Sequence, residues 1–212
     1  TNEISKITPA GVVSTFATGV LAPSPLIFNS EGSLYVGTNN STVYKVTPSG
    51  TASIFATTGG GPFSLALDSS GNLYTGNSYA YDITKITSSG ATSTISPAWP
   101  VYLDQVADIV FDTADNLYTA NSGSGTHTIS KITPALDSST FADISGGPND
   151  LIFDTAGNLY SANTSAGTVS KITAGGVVTT FATVGTGPTQ LAFDYAYASS
   201  GTFTSAVTDL SS

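Results

Sequence analysis

The chain has 212 residues, with 14 acidic side chains against five lysines, no arginine and a net charge of -9. That balance opposes phosphate backbones and anionic membrane surfaces and excludes nucleic acid as an expected partner. The absence of cysteine removes disulfides and thiolate metal sites, and no apolar run approaches the ~18 to 20 residues a spanning helix needs, so no membrane insertion is expected within this chain.

In chain order, the first elements expected are a strand through the Lys6-Ile7-Thr8 motif and a second strand centred on Phe16. The lysine motif then returns: Lys6, Lys45, Lys85, Lys131 and Lys171 each precede Ile or Val and then Thr, at spacings of 39, 40, 46 and 40 residues. A period of about 42 residues falls in the range of propeller blades. One unit, residues 148–183, reads PNDLIFD, TAG, NLYSAN, TSAG, TVSKIT, AGG, VVTTFAT. The four longer runs are rich in Val, Ile, Thr, Phe and Tyr and alternate in polarity, which predicts four short strands, a to d, joined by tight turns. In the a-to-b turn D-x-x-G-N (Asp68 to Asn72, Asp154 to Asn158), the aspartate is placed to accept backbone hydrogen bonds and the glycine to adopt a positive φ.

Strands of type a are expected to end at 26–29, 65–68, 109–112, 151–154 and 191–194, and d strands to centre on Phe16, Phe55, Ile95, Phe141 and Phe181. Four b strands carry the Leu-Tyr pair, and GTFTSA at 201–206 takes the fifth place. The chain starts on a c strand and ends on a b strand. The expectation is therefore an all-β, five-bladed β-propeller of four-stranded antiparallel blades, one domain over residues 1–212, closed by pairing of the N- and C-terminal strands, which leaves no sheet edge open.

The run G-P-x-x-L-A-F-D-x-x-G-N-L-Y-x-A-N...K-I-T resembles the NHL repeat, and ITPAGVVSTFAT is similar to the repeats of streptogramin lyases and, at greater distance, of gluconolactonase and regucalcin-type propellers. The resemblance covers nearly the whole chain and implies the propeller fold. Its families include enzymes, binding proteins and interaction platforms, so it implies no single reaction. Two departures stand out: Asn77, Asn121 and Asn163 occupy a position where the family usually has aspartate, and six blades are commoner than five in the NHL group.

The periodic aromatics Tyr35, Tyr74, Tyr118, Tyr160, Phe28, Phe111, Phe153 and Phe193 are expected to fill the spaces between blades. The lysines are expected to lay their stems along a neighbouring blade, with Asp68, Asp112, Asp154 and Asp194 as partners in sign. Subtracting these repeat residues leaves the loops. The d-to-a connection PAWPVYLDQVAD, 97–108, is longer than its equivalents and holds the only tryptophan, and the b-to-c connections hold Tyr79, Tyr81 and the sole histidine, His127. Trp99, Tyr102, Gln105, Tyr79, Tyr81 and His127 are the candidate ligand-binding residues, set against the plainer reading that Trp99 plugs the core. Pro25, Ser64, Asp108, Asp150 and Gln190 hold equivalent positions at the start of the inner strand, and Asp104, Asp108 and Asp150 are a candidate oxygen-ligand set for calcium, against the plainer reading that they are solvated or capping.

The function expected from these residues is a non-enzymatic extracellular or cell-surface interaction module that binds a carbohydrate, peptide or protein on its loop face. The low charge and abundance of Ser, Thr, Gly and Asn motivate the location, and the start at Thr1 leads to the expectation of a mature product or an excerpt. One alternative is a structural subunit of a stalk or filament, self-assembling by strand addition through the split blade. Another, implied by the resemblance, is a metal-assisted lyase or lactonase in which a cation polarises a cyclic ester and a base removes a proton. No catalytic residue is assigned.

Overall fold

The computed structural model describes residues 2–77, 80–97, 101, 103–123, 125 and 127–193. Among these residues there is no helix, and the chain forms two compact units, Thr1–Ser96 and Pro97–Ser212. In the first unit β1 (Glu3–Ile7) pairs with β2 (Val13–Thr18). Two four-stranded sheets follow: β3 (Pro23–Phe28), β4 (Leu34–Thr38), β5 (Thr42–Val46) and β6 (Ala52–Thr57), then β7 (Pro62–Leu67), β8 (Leu73–Asn77), β9 (Asp82–Ile86) and β10 (Thr92–Ile95). The second unit holds β11 (Val106–Phe111), β12 (Leu117–Asn121), β13 (Thr128–Ile132) and β14 (Ser138–Asp143), then β15 (Pro148–Phe153), β16 (Leu159–Asn163), β17 (Thr168–Ile172) and β18 (Val178–Thr183). Each four-stranded sheet is an antiparallel meander in chain order, the blade of a five-bladed β-propeller, and β1 and β2 are the c and d strands of the remaining blade.

Burial follows strand position. The b strands β4, β8, β12 and β16 are buried at every residue, whereas the outer d strands are mostly exposed. In the first unit Tyr35, Val43 and Ala56 of one blade pack with Leu73 and Ile86 of the next. In the second, Tyr118, Ile129 and Ala142 pack with Leu151, Leu159 and Ile172.

A strand buried on both faces must satisfy its polar groups locally. Asn163, fully buried, donates through Nδ2 to the hydroxyls of Thr168 (3.1 Å) and Ser170 (2.8 Å), and its Oδ1 accepts from Ser161 at 2.9 Å. Asn121 repeats this with Thr128, Ser130 and Thr119, and Asn77 with Asp82, Thr84 and Thr75. The amide is both donor and acceptor, a pairing that an ionised aspartate lacks, which is the local chemical consequence of asparagine at these positions.

The turn chemistry expected from D-x-x-G-N is present. Asp154 Oδ1 accepts the Ala156 and Asn158 amides at 3.0 and 2.8 Å, and its Oδ2 accepts Asn158 Nδ2 at 2.8 Å and the Tyr160 hydroxyl at 3.4 Å. Gly157 takes φ +80°, and in the corresponding turn of the third full blade Asp115 takes φ 57°. Burial raises the carboxyl pKa of Asp112 and Asp154, but the asparagine amide and backbone N–H bonds outweigh it, and both lie below the usual carboxylate range.

The lysine expectation needs correction. Lys45, Lys85, Lys131 and Lys171 lie directly across the b–c ladder from Tyr35, Tyr74, Tyr118 and Tyr160. Their ammonium groups therefore sit over the tyrosine rings of their own blade, 5.3 to 5.6 Å from the centroids, a partner the expectation did not include. Two further expectations change. Phe28 is 62% exposed rather than packed, and the strand expected over 201–206 lies outside the described residues, as does the closure through it. Residues 191–193 form no strand; the Leu191 amide donates to Asp150 Oδ2 at 2.6 Å instead.

Two outcomes follow for stability. Gly157→Ala meets no steric obstacle but must hold an L-residue at positive φ, so denaturant melts should show a loss of about 1 to 2 kcal/mol. Asn163→Leu leaves three buried or half-buried hydroxyls without their amide and should cost about 3 kcal/mol by the same measurement.

Candidate functional site

The candidate residues of the second unit gather at one end of its strands, where d-to-a and b-to-c connections meet. Asp104 and Gln105 close the long connection, and the ladder positions Val106 opposite Asn121, so the next residues of both segments run together. The Ser122 amide and hydroxyl donate to the Gln105 carbonyl at 3.2 and 3.0 Å, and the Gly123 amide donates to the Asp104 carbonyl at 3.1 Å. Gly123 lets the Asp104 carboxylate approach closely, since a Cβ there would force that side chain to move. Gln105 is exposed and holds φ 47°.

His127 ends the adjoining b-to-c connection. Its carbonyl accepts the Ile144 amide at 2.7 Å, and its Nε2 stands 3.8 Å from where a Cβ on Gly147 would be. In the first unit, Tyr81 is 55% exposed and holds φ 55°. Trp99, Tyr102 and Tyr79 lie outside the described residues.

Asp108 and Asp150 form the distinctive feature. Both occupy the third position of their inner strands, β11 and β15, and their carboxyls hydrogen-bond to each other. Asp108 Oδ2 also accepts the Leu151 amide at 2.9 Å, while Asp150 Oδ2 accepts that of Leu191. Each carboxyl thus pins the backbone of the next repeat. Burial, followed by the nearby Asp150 charge, pushes Asp108 well above the usual carboxylate range. Burial also lifts Asp150 to about 6, despite the opposing hydrogen bonds from Leu191 and Asp108. Two carboxyls this close do not both ionise readily, so the pair retains a proton toward neutral pH.

The set Asp104, Asp108 and Asp150 does not come together as one cage. Among the described residues no three His, Asp, Glu or Cys side chains are grouped to hold a metal ion. The candidate calcium chemistry therefore does not fit the donors present. Of the equivalent positions, Ser64 is buried, and among the described residues its Oγ has no hydrogen-bond partner. The sequence signal for the pair was two aspartates at equivalent positions of adjacent repeats. Their mutual hydrogen bond and their backbone partners had no signal in spacing alone.

The pair makes a signed prediction. The folded state binds the Asp150 proton more tightly than an unfolded carboxylate does, so its contribution to stability is fully present below about pH 4 and falls as pH rises to about 6. Asp150→Asn should flatten that part of the stability profile, measured as melting temperature against pH.

No protein-family model matches the chain, and no curated protein matches it by sequence. Solved structures do match. Virginiamycin B lyase from Staphylococcus aureus is similar with a TM-score of 0.77 at 18% identity, over 90% of this chain and 67% of the lyase. A streptogramin B lyase structure gives 0.78 at 16% identity, over 90% and 66%. A gluconolactonase from Xanthomonas campestris gives 0.72 at 15% identity, over 92% and 73%. The chain spans about two thirds of the length of the lyases it matches. At these identities the likeness establishes the fold, and that fold is the β-propeller shared by streptogramin lyase and gluconolactonase.

Proposed function

We propose that the chain opens a cyclic ester, with the Asp108 and Asp150 carboxyls handling the proton. The observation that carries this reading is the pair itself: two hydrogen-bonded carboxyls at adjacent strand starts, one with its pKa raised to about 6, on a fold shared with a lyase and a lactonase. General acid–base groups work best when their pKa lies near the operating pH. In this reading of a hydrolysis, ionised Asp150 takes a proton from water as the water oxygen bonds to the ester carbonyl carbon; the acyl C–O bond then breaks, its electron pair stays on the ring oxygen, and neutral Asp108 gives that oxygen its proton. In an elimination Asp150 instead takes a proton from the carbon next to the one that bears the ring oxygen; a C=C bond forms, the alkyl C–O bond breaks, and its electron pair leaves on the carboxylate. The residues do not fit a metal cage, and no step is routed through a cation.

Turnover of a panel of lactones and cyclic depsipeptides tests this. The expected result is activity that rises as pH passes through about 6 and falls by about 100-fold or more in Asp150→Asn. Absence of turnover across the panel, or full activity in Asp150→Asn, rejects the assignment.

A second reading, recognition of a carbohydrate or protein partner outside the cell, is favoured by a separate observation. Tyr81 and Gln105 are exposed and hold left-handed backbone without being glycine, and such conformations are concentrated in functional loops. Binding on a glycan and peptide array that drops in Tyr81→Ala or Gln105→Ala, without loss of folding, would support it.

A further inference from the structure

One apolar face of the first unit lacks the cover that its repeat equivalents have. Ile7, the last residue of β1, is 66% exposed, whereas Val46, Ile86, Ile132 and Ile172, which hold its position in the four full blades, are at most 2% exposed. Each of those four lies directly opposite a b-strand leucine: Leu34, Leu73, Leu117 and Leu159. Among the described residues β1 has no such neighbour. It pairs with β2 alone, so its second edge presents backbone N–H and C=O groups without a ladder partner.

The inner strand of the next blade is uncovered on the matching side. Leu26 and Phe28 of β3 are 51% and 62% exposed, while Leu151, at the position of Leu26, is 5% exposed. Phe153, at the position of Phe28, packs edge-on against the b-strand Tyr118 of the preceding blade, 5.1 Å between ring centroids. The β1–β2 sheet and the β3 blade already meet through Ile4, Ala17, Leu34 and Val36. A b strand laid along β1 would therefore cover Ile7 in its own sheet and Leu26 and Phe28 across the blade interface. Lys6 points to the same vacancy: Lys45, Lys85, Lys131 and Lys171 each lie over the tyrosine opposite, and Lys6 has no ring partner among the described residues.

The repeat specifies the strand that fits. In the fourth full blade the b–c pairs are Leu159 with Ile172, Tyr160 with Lys171, Ser161 with Ser170, Ala162 with Val169 and Asn163 with Thr168. β1 meets its d strand in the same register as β17, bulge included, so Ile7, Lys6, Ser5, Ile4 and Glu3 hold those five c-strand positions. The segment GTFTSAV, 201–207, lies outside the described residues and aligns with GNLYSAN, 157–163, sharing its glycine, serine and alanine. That alignment sets Phe203 opposite Ile7, Thr204 opposite Lys6, Ser205 opposite Ser5, Ala206 opposite Ile4 and Val207 opposite Glu3. Its departures match on both strands. Threonine replaces the tyrosine where the lysine has no ring, and Val207 replaces the asparagine where Glu3 replaces the Thr168 hydroxyl that Asn163 serves.

We propose that residues 203–207 of this chain occupy the open edge of β1 in that register, with Phe203 beside Ile7 and Thr204 facing Phe28. The occupant is selected by its alternation: a phenylalanine for the leucine that covers Ile7, and a small Ser-Ala pair for the enclosed middle of the strand.

The chain has no cysteine, so a disulfide can join only residues introduced for the purpose. Directly opposed residues of an antiparallel pair stand within disulfide reach, and a slip of one residue turns the side chain to the other face. Oxidation of the whole chain carrying Ser5→Cys and Ser205→Cys should give an intramolecular disulfide, read by mass and by mobility on a non-reducing gel. The pair Ser5→Cys and Thr204→Cys, one residue out of register, should give at least tenfold less. A second measurement uses no crosslink: Ile7→Asp should lower the melting temperature as much as Ile172→Asp does, whereas an Ile7 that stays exposed predicts no change. Equal disulfide formation by the two pairs, a disulfide that joins two chains, or an unchanged melting temperature in Ile7→Asp overturns the proposal.

Discussion

The constraint on which the structure depends is the burial of the b strand on both faces. Each of β4, β8, β12 and β16 is enclosed along its whole length, so it has no water to satisfy a polar side chain. The chain meets this with a short, repeated hydroxyl–amide–hydroxyl chain centred on Asn77, Asn121 and Asn163. The c strand must then offer Ser or Thr opposite, which fixes its composition as well. Much of the Ser, Thr and Asn content of this low-charge sequence is thus internal bonding between neighbouring strands.

Charge is handled by the same logic of local satisfaction. Four of the five lysines are held over a tyrosine of the adjacent strand, and in three blades that tyrosine touches the turn aspartate. The aspartate orders its turn by accepting backbone amides, so one residue links turn geometry, core aromatic and cation. An exception to this repeat is where chemistry becomes available: the pair Asp108 and Asp150, which places two carboxyls together.

The blades were legible in the sequence because hydrophobic alternation and the lysine motif report strand identity directly, and every described c and d strand contains the residue expected to mark it. The direction of the lysine stems was not legible. It depends on b–c register, which places Tyr160 opposite Lys171, and a linear sequence gives the period without the register. The positions of Asp108 and Asp150 were readable as equivalent residues of successive repeats, but their contact depends on how closely adjacent inner strands approach. The grouping of Asp104 with them failed for a related reason: the residues between Asp104 and Asp108 enter β11, and the Asp104 backbone turns toward Gly123. Nearness in sequence did not become nearness in space.

The placement of the lysines also bears on how the chain meets proteases. An enzyme of trypsin specificity has five bonds to attack, since the chain has five lysines and no arginine. Four of those lysines lie inside β5, β9, β13 and β17, each hydrogen-bonded to a strand on either side. A protease must bind its substrate as an extended segment free of other partners, so each of these bonds is reached only when a blade opens. The lysine that remains, Lys6, lies in β1, which pairs with β2. Digestion by such an enzyme at the other four sites would therefore report the opening of individual blades.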